Sequence, residues 1–239
     1  EDGIRARSPS RGLGDVYKRQ DPENRRLARG PRLRLQPQMI RDQALAVAGL
    51  LVEKVGGPSV KPYQPEGLWA DMVEGGYEDY VEAEGDDLYR RSLYTFWKRT
   101  LGPPTMMTFD ASTRETCIVR TGRTNTPLQA LLLLNDVQFV EAARGLAQQL
   151  LSQPGTERQR LTRGFRMVTA RKPRADELAI LQQTLQLHRR EYRNNLEAAN
   201  KLLAIGESKR DLTLDAGEHA AWTLLSNLLL NLDETLTKN

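Results

Sequence analysis

The chain has 239 residues, 39% of them hydrophobic and 28% charged, a balance that suits a folded globular protein and excludes general disorder. No apolar run, Leu131 to Leu134 included, approaches the roughly 20 residues a bilayer-crossing helix needs. The formal charge of +4 comes from basic and acidic residues that are interleaved, as in Glu207–Ser208–Lys209–Arg210–Asp211, and not from the one-signed stripe of a nucleic-acid surface.

Glu1 to Gln20 carry scattered Arg, Gly and Ser with no apolar periodicity. Asp15–Val16–Tyr17–Lys18–Arg19–Gln20 back-translates as GAT GTG TAT AAG AGA CAG, the mosaic end of transposon-based sequencing libraries, and the residues before it fit the adjoining adapter. Residues 1–20 are therefore expected to be an adapter-derived, unstructured tail, with one domain over 21–239. Removing the tail takes away five bases and three acids, so the charge falls from +4 to +2. Asp21–Pro22 suits a helix cap followed by Pro, and Gly30–Pro31 stops any turn that follows.

Pro37 opens a helix through Met39, Ile40, Ala44, Val47, Leu51 and Val55, which Gly56–Gly57–Pro58 is expected to end. Residues 58–85 read as an irregular Pro/Gly-rich segment, with a turn around Leu68 to Val73 and Trp69 plugged onto the core. The acidic stretch from Glu74 to Asp87 lacks the alternating ligands of a calcium loop. Arg91 to Lys98 is predicted extended, Met106 to Phe109 a short apolar turn, and Thr116 to Val119 a brief extended piece.

From residue 126 the pattern is helical. Thr126–Pro127–Leu128–Gln129 is a capping box with Pro in the first helical position, followed by a stripe of Leu128, Leu131, Leu132, Phe139, Ala143, Leu146 and Leu150. Asn135 falls on this stripe, and either breaks the helix, with Asn135–Asp136 capping a second segment, or is buried and hydrogen-bonded. Thr156 and Gln159 open another helix, and Asp176 and Glu177 mark the first turn of one running through Leu178, Leu181, Leu185 and Leu187. Asp215 and Glu218 cap the last, whose face is Ala221, Leu224, Leu225, Leu228, Leu229, Leu232 and Leu236. The expected fold class is mainly α: an irregular helical domain, looser over 21–125 and helical over 126–239, with at most a small β element.

Catalytic constellations are missing. His188 is expected on a polar face and His219 in a local contact, and neither has a ligand-spaced partner. Cys117, the sole cysteine, reads as a buried thiol. No nucleophile elbow, phosphate loop or dinucleotide fingerprint occurs. No C-x-x-C-H occurs either, so no haem attachment is expected within this chain.

Several blocks carry a resemblance: Met39-Ile-Arg-Asp-Gln-Ala44, Gly56-Gly-Pro-Ser-Val60, Tyr63-Gln-Pro-Glu-Gly-Leu-Trp69, Asp87 to Arg99, Phe109-Asp110, Arg123 to Ala130, Leu134-Asn-Asp136 and Asn231-Leu-Asp-Glu234. Through them, residues 21–239 resemble the C-terminal domain of unknown function of planctomycete cytochrome-c-associated proteins. The resemblance implies the end of a larger exported protein, its signal and any haem module lying upstream, with those upstream domains as partners. It implies no reaction. Where that family often has Pro after the Asn-Asp pair, this chain has Val137.

The leading expectation is a structural or interaction domain. The first rival is a hydrolase, acting on polysaccharide, with carboxylates of the 74–87 stretch facing each other across a cleft. A nucleic-acid module is the second. The candidate surface is the junction of Arg114, Arg120, Arg123, Asn125, Thr126 and Gln129, where arginines gather beside a fixed helix N-terminus and attract anions. They serve there either as an internal clasp with Asp86, Asp110, Asp233 or Glu234, or as a docking site for an acidic partner.

Overall fold

The computed structural model describes residue 25 and residues 33–65, 68, 80–98, 102–119 and 121–238. The tail at 1–20, the Asp21–Pro22 cap, the Gly30–Pro31 stop, Trp69, Glu74, Glu78, Asp79 and Arg120 all lie outside these residues. Two compact units divide the chain. The first takes residues 1–34 and 237–239, and its described part is an antiparallel ladder of β1 (Leu33–Arg34) and β2 (Thr237–Lys238), with Leu33 opposite Lys238 and Arg34 opposite Thr237. The second, residues 35–236, is helical: mainly α, as the leucine stripes predict.

Its helices are α1 (Pro37–Val47), α2 (Pro104–Thr108), α3 (Pro127–Asn135), α4 (Val137–Ser152), α5 (Glu157–Thr169), α6 (Ala175–Asn194), α7 (Leu196–Leu203), α8 (Ala216–Leu230) and α9 (Asp233–Leu236). α8 lies against α4, α6 and α7 and is buried on nearly every side, from Gly217 through His219–Thr223 and Leu225–Asn227 to Leu229 and Leu230. A helix that is apolar all round sits at the centre, and the others wrap it. Leu146 and Leu150 of α4, Leu161 of α5, Leu185 of α6 and Leu203 of α7 close the same core as Trp222 and Leu225.

The caps hold as predicted. Thr126 and Gln129 exchange side-chain and backbone bonds, as do Thr156 and Gln159. Asp215 accepts from the Glu218 amide, and Glu177 accepts from the Arg174 amide at the start of α6. α7 has no counterpart in the predicted elements: Asn195 interrupts the long helix and caps the next one through the Ala198 amide. Leu187 and Leu228, placed on buried stripes by periodicity, are exposed, because α6 and α8 each turn those positions outward.

α1 ends eight residues before the expected stop. Gly49, at φ 68°, closes a Schellman motif: the Leu50 amide returns to the Leu45 carbonyl and the Gly49 amide to Ala46. The left-handed backbone suits glycine, so the chain reverses there and not at Gly56. Leu51 and Val55 therefore leave the helix, and Val52 instead bridges Arg90 in parallel. Arg91 to Lys98 is only partly extended. Ser92–Tyr94 forms a 3-10 turn, and the strand character reduces to isolated bridges at Arg90, Thr95 and Lys98. Thr116 to Val119 forms bends with exposed side chains, not an extended piece, since nothing pairs with it among the described residues.

Buried guanidinium groups organise this irregular region. Arg41 on α1 donates to Gln138 Oε1 at 2.5 Å, to the Arg90 carbonyl at 2.8 Å and to the Leu88 carbonyl at 2.6 Å. Burial lowers its pKa to about 10. Arg90 in turn donates to the carbonyls of Pro58, Lys54 and Gly56 and lies over the Tyr94 ring at 4.0 Å. Carbonyls that no ladder reaches need donors from elsewhere, and an arginine supplies five.

Candidate interaction surface

The junction ahead of α3 is built on a small polar base. Asp110 Oδ2 accepts from both the amide and the hydroxyl of Thr124, at 2.5 and 2.7 Å, and so closes the loop of residues 111–123. Asp110 sits at φ 63° at one end of this closure. Gln129, fully buried, donates through Nε2 to the Thr108 carbonyl at 2.9 Å and to the Thr124 hydroxyl at 3.0 Å. Thr126 and Gln129 thus act as framework, joining the end of α2 to the start of α3.

Arg114, Arg123 and Asn125 stand on the exposed side of this base, and Arg120 lies outside the described residues. The Arg114 guanidinium covers the Trp97 ring at 4.3 Å from its centre. Of the carboxylates expected to clasp these arginines, Asp110 is committed to Thr124, and Glu234 pairs with Arg171 at 2.6 Å. Among the described residues no ion pair joins Arg114 or Arg123 to a carboxylate.

The leucines beside them were assigned to the core by periodicity, and here the structure corrects the reading. The helix breaks at the Asn135–Asp136 pair, the first of the two expected alternatives, and the cap of the second segment is Asp136. It accepts from the Gln138 amide and starts α4, while Asn135 is exposed and donates back to the Leu131 carbonyl. Burial pushes the Asp136 carboxyl up, though a bond from the Thr105 hydroxyl opposes the rise. The break gives α3 its own register. Gln129 and Leu133 turn inward, Leu128 and Leu131 are 61% and 56% exposed, and Leu134 and Val137 are also open. One continuous helix across 127–150 would have kept Leu128 in line with Phe139; two helices do not. Phe139, Ala143, Leu146 and Leu150 are buried as expected. Ile118 and Val119 add exposed apolar surface on the 111–123 loop.

Other candidate residues fall elsewhere. Cys117 is exposed on the same loop, not buried. His219 is deep in the core, with Nε2 3.3 Å from the Arg144 carbonyl, a contact between α8 and α4 and not a local one. Burial lowers its pKa, as it does that of half-buried His188. In the acidic segment Glu82 accepts from the Gln64 amide, while Glu84, Asp86 and Asp87 are exposed. Neither the small cleft lined by Arg41 and Thr95 nor the larger groove along α5 is lined by a carboxylate. No group of His, Cys, Asp and Glu able to hold a metal occurs among the described residues.

One buried polar network was not anticipated. Glu141 accepts from the Tyr89 hydroxyl at 2.9 Å and the Ser208 amide at 2.6 Å, and pairs with Arg144 at 3.4 Å. Arg144 also donates to the Leu203 and Ser208 carbonyls. Gly206, at φ 84°, runs so close that any Cβ would enter the Glu141 carboxylate. Tyr63 accepts from the Glu207 amide, and burial followed by the charge of Glu141 pushes its hydroxyl up to about 12. The donors and acceptors satisfy one another within the protein, so the cluster fastens the 205–208 turn to α4.

No curated protein and no solved structure matches the chain. A family model matches residues 9–185, a span that begins within the 1–20 tail and ends inside α6, short of the closing Asn231–Glu234 block. With more than half its length matched, the chain belongs to the PSD1 family, described as a protein of unknown function (DUF1553).

Proposed function

We propose that the chain is an interaction domain whose docking surface is the outer face of α3 together with the 111–123 loop. The observation that carries this is the leucine pair at 128 and 131, exposed on a helix whose N-terminus is fixed by a capping box and whose C-terminus is fixed by Asp136. A rigid helix that shows leucines at i and i+3 to water presents a ready apolar stripe, and Arg114 and Arg123 add positive charge on the adjoining loop. The fitting partner is an apolar protein surface edged with carboxylates. The resemblance to exported, cytochrome-c-associated proteins supports taking that partner as an upstream domain of the same polypeptide.

A photo-reactive residue at position 131 in the full-length protein tests this. Cross-links to an apolar and acidic segment of the upstream domain are expected, and should disappear with Arg114→Glu and Arg123→Glu. Cross-links to solvent alone would defeat the reading.

A further inference from the structure

A second surface, on α5, has a different chemistry. Arg158, Arg163, Arg166 and Lys172 line one open groove of about 500 Å³ that contains no carboxylate and no aromatic side chain. Arg158 and Arg166 lie eight residues apart on one helix, roughly 12 Å along its axis. Four arginines close by in the fold are engaged: Arg171 with Glu177 and Glu234, Arg174 with Asp176 and Glu177, Arg189 with Glu157 and Glu218, and Arg160 with the Gln153 carbonyl. The four groove cations have no such partner among the described residues. Moreover, Arg163 Nη1 is shut off from solvent and meets no hydrogen-bond acceptor there. Like charges three residues apart on a helix repel, so the row stands as a local electrostatic cost that an anion would remove.

We propose that this groove binds a ligand carrying two or more tetrahedral oxyanion groups, phosphate or sulfate. Guanidinium forks match such groups in pairs, and several cations in a row favour a multivalent anion over a single one. The absence of aromatic lining leaves nothing for a base to stack on, so single-stranded nucleic acid is not the fitting ligand.

Titration calorimetry of the purified chain at physiological salt tests the idea, with tripolyphosphate and sucrose octasulfate as probes and inorganic phosphate as reference. At least one probe should bind at least about tenfold more tightly than inorganic phosphate, weaken as salt rises, and identify phosphate or sulfate as the source. Arg163→Gln with Arg166→Gln should cost at least about tenfold in affinity. If that pair fails to fold, Arg158→Gln with Arg166→Gln, both at exposed positions, gives the same readout. Probes that bind no better than inorganic phosphate, affinity unchanged in a folded variant, or tighter binding of a single-stranded oligonucleotide would each overturn the proposal.

Discussion

Residues 127–230 satisfy their buried backbone mainly with helix ladders, whereas in the described parts of 50–98 a few backbone bridges are supplemented by the guanidinium groups of Arg41 and Arg90, which donate to the carbonyls of Lys54, Gly56, Pro58, Leu88 and Arg90. In the first region the interior is leucine on leucine around α8; in the second a small apolar cluster of Leu45, Leu88 and Tyr89 is accompanied by Arg41 and Arg90. The contrast teaches that irregular backbone is not loose backbone. It can be as fixed as a helix when long-range donors take the place of local ones, but its stability then depends on a few side chains and not on many.

The sharpest way to test that difference is to damage each region once. Leu185→Ala, in the centre of the helical core, should lower unfolding free energy by about 2–5 kcal/mol in a denaturant titration, with one cooperative transition. Arg41→Met should cost about 3 kcal/mol, since it strands the Leu88 and Arg90 carbonyls and Gln138. Its signature should be local: amide exchange should accelerate at Val52, Val60 and Phe96 before it does in α8. Equal acceleration in both regions would show that the irregular segment has no separate anchorage.

Legibility in the sequence followed the same division. Caps such as Thr126 with Gln129 and Thr156 with Gln159 were readable because their partners stand three residues apart and their chemistry is local. Leu146, Leu150, Leu225 and Leu229 were readable from period alone. Arg41 was not, because the carbonyls it serves lie some fifty positions away, and nothing in its neighbourhood distinguishes it from a surface arginine. The stop at Gly49 was hidden by the stronger-looking Gly56–Gly57–Pro58, although only the first completes the Schellman bonds. At the candidate surface, Thr126 and Gln129 were legible, while the exposure of Leu128 and Leu131 depended on whether the helix breaks at the Asn135–Asp136 pair or runs on, which the sequence left open.

A smaller effect separates the ionic rim of the helical region from its core. Burial pushes the Glu218 carboxyl up, but bonds from Arg189 and Trp222 outweigh this and hold its pKa below the usual range. Its contribution is present above its unfolded pKa of about 4.3 and is lost as pH falls through the lower folded value. Glu218→Gln should therefore cost about 1 kcal/mol at neutral pH, with the difference from the parent vanishing in strong acid. His219 acts at higher pH. Burial depresses its pKa, so stability is complete above about pH 6.5 and declines as pH drops toward the folded value. Melting temperatures measured between pH 7 and pH 3 should show both steps, and His219→Gln should shrink the first to the part that half-buried His188 contributes.

The least effect is expected at the exposed leucines. Leu128→Ser with Leu131→Ser should change stability by less than about 0.5 kcal/mol per site, since neither side chain is buried, and should lower any self-association seen by sedimentation. A large loss of stability would place those leucines in the core after all and remove the docking surface.

The bond pair from Thr124 to Asp110 has a practical consequence for protein engineering. Because the two ends of the 111–123 segment are fastened together independently of its middle, lengthening it adds only the logarithmic cost of a longer loop, about 0.6 kcal/mol per doubling. A peptide tag or a small guest domain inserted next to Cys117, the single cysteine of the chain, should thus leave the helical unit folded. The thiol itself offers a unique handle for a fluorophore, so that the arrival of a partner on this side of the molecule would be read as a change in emission.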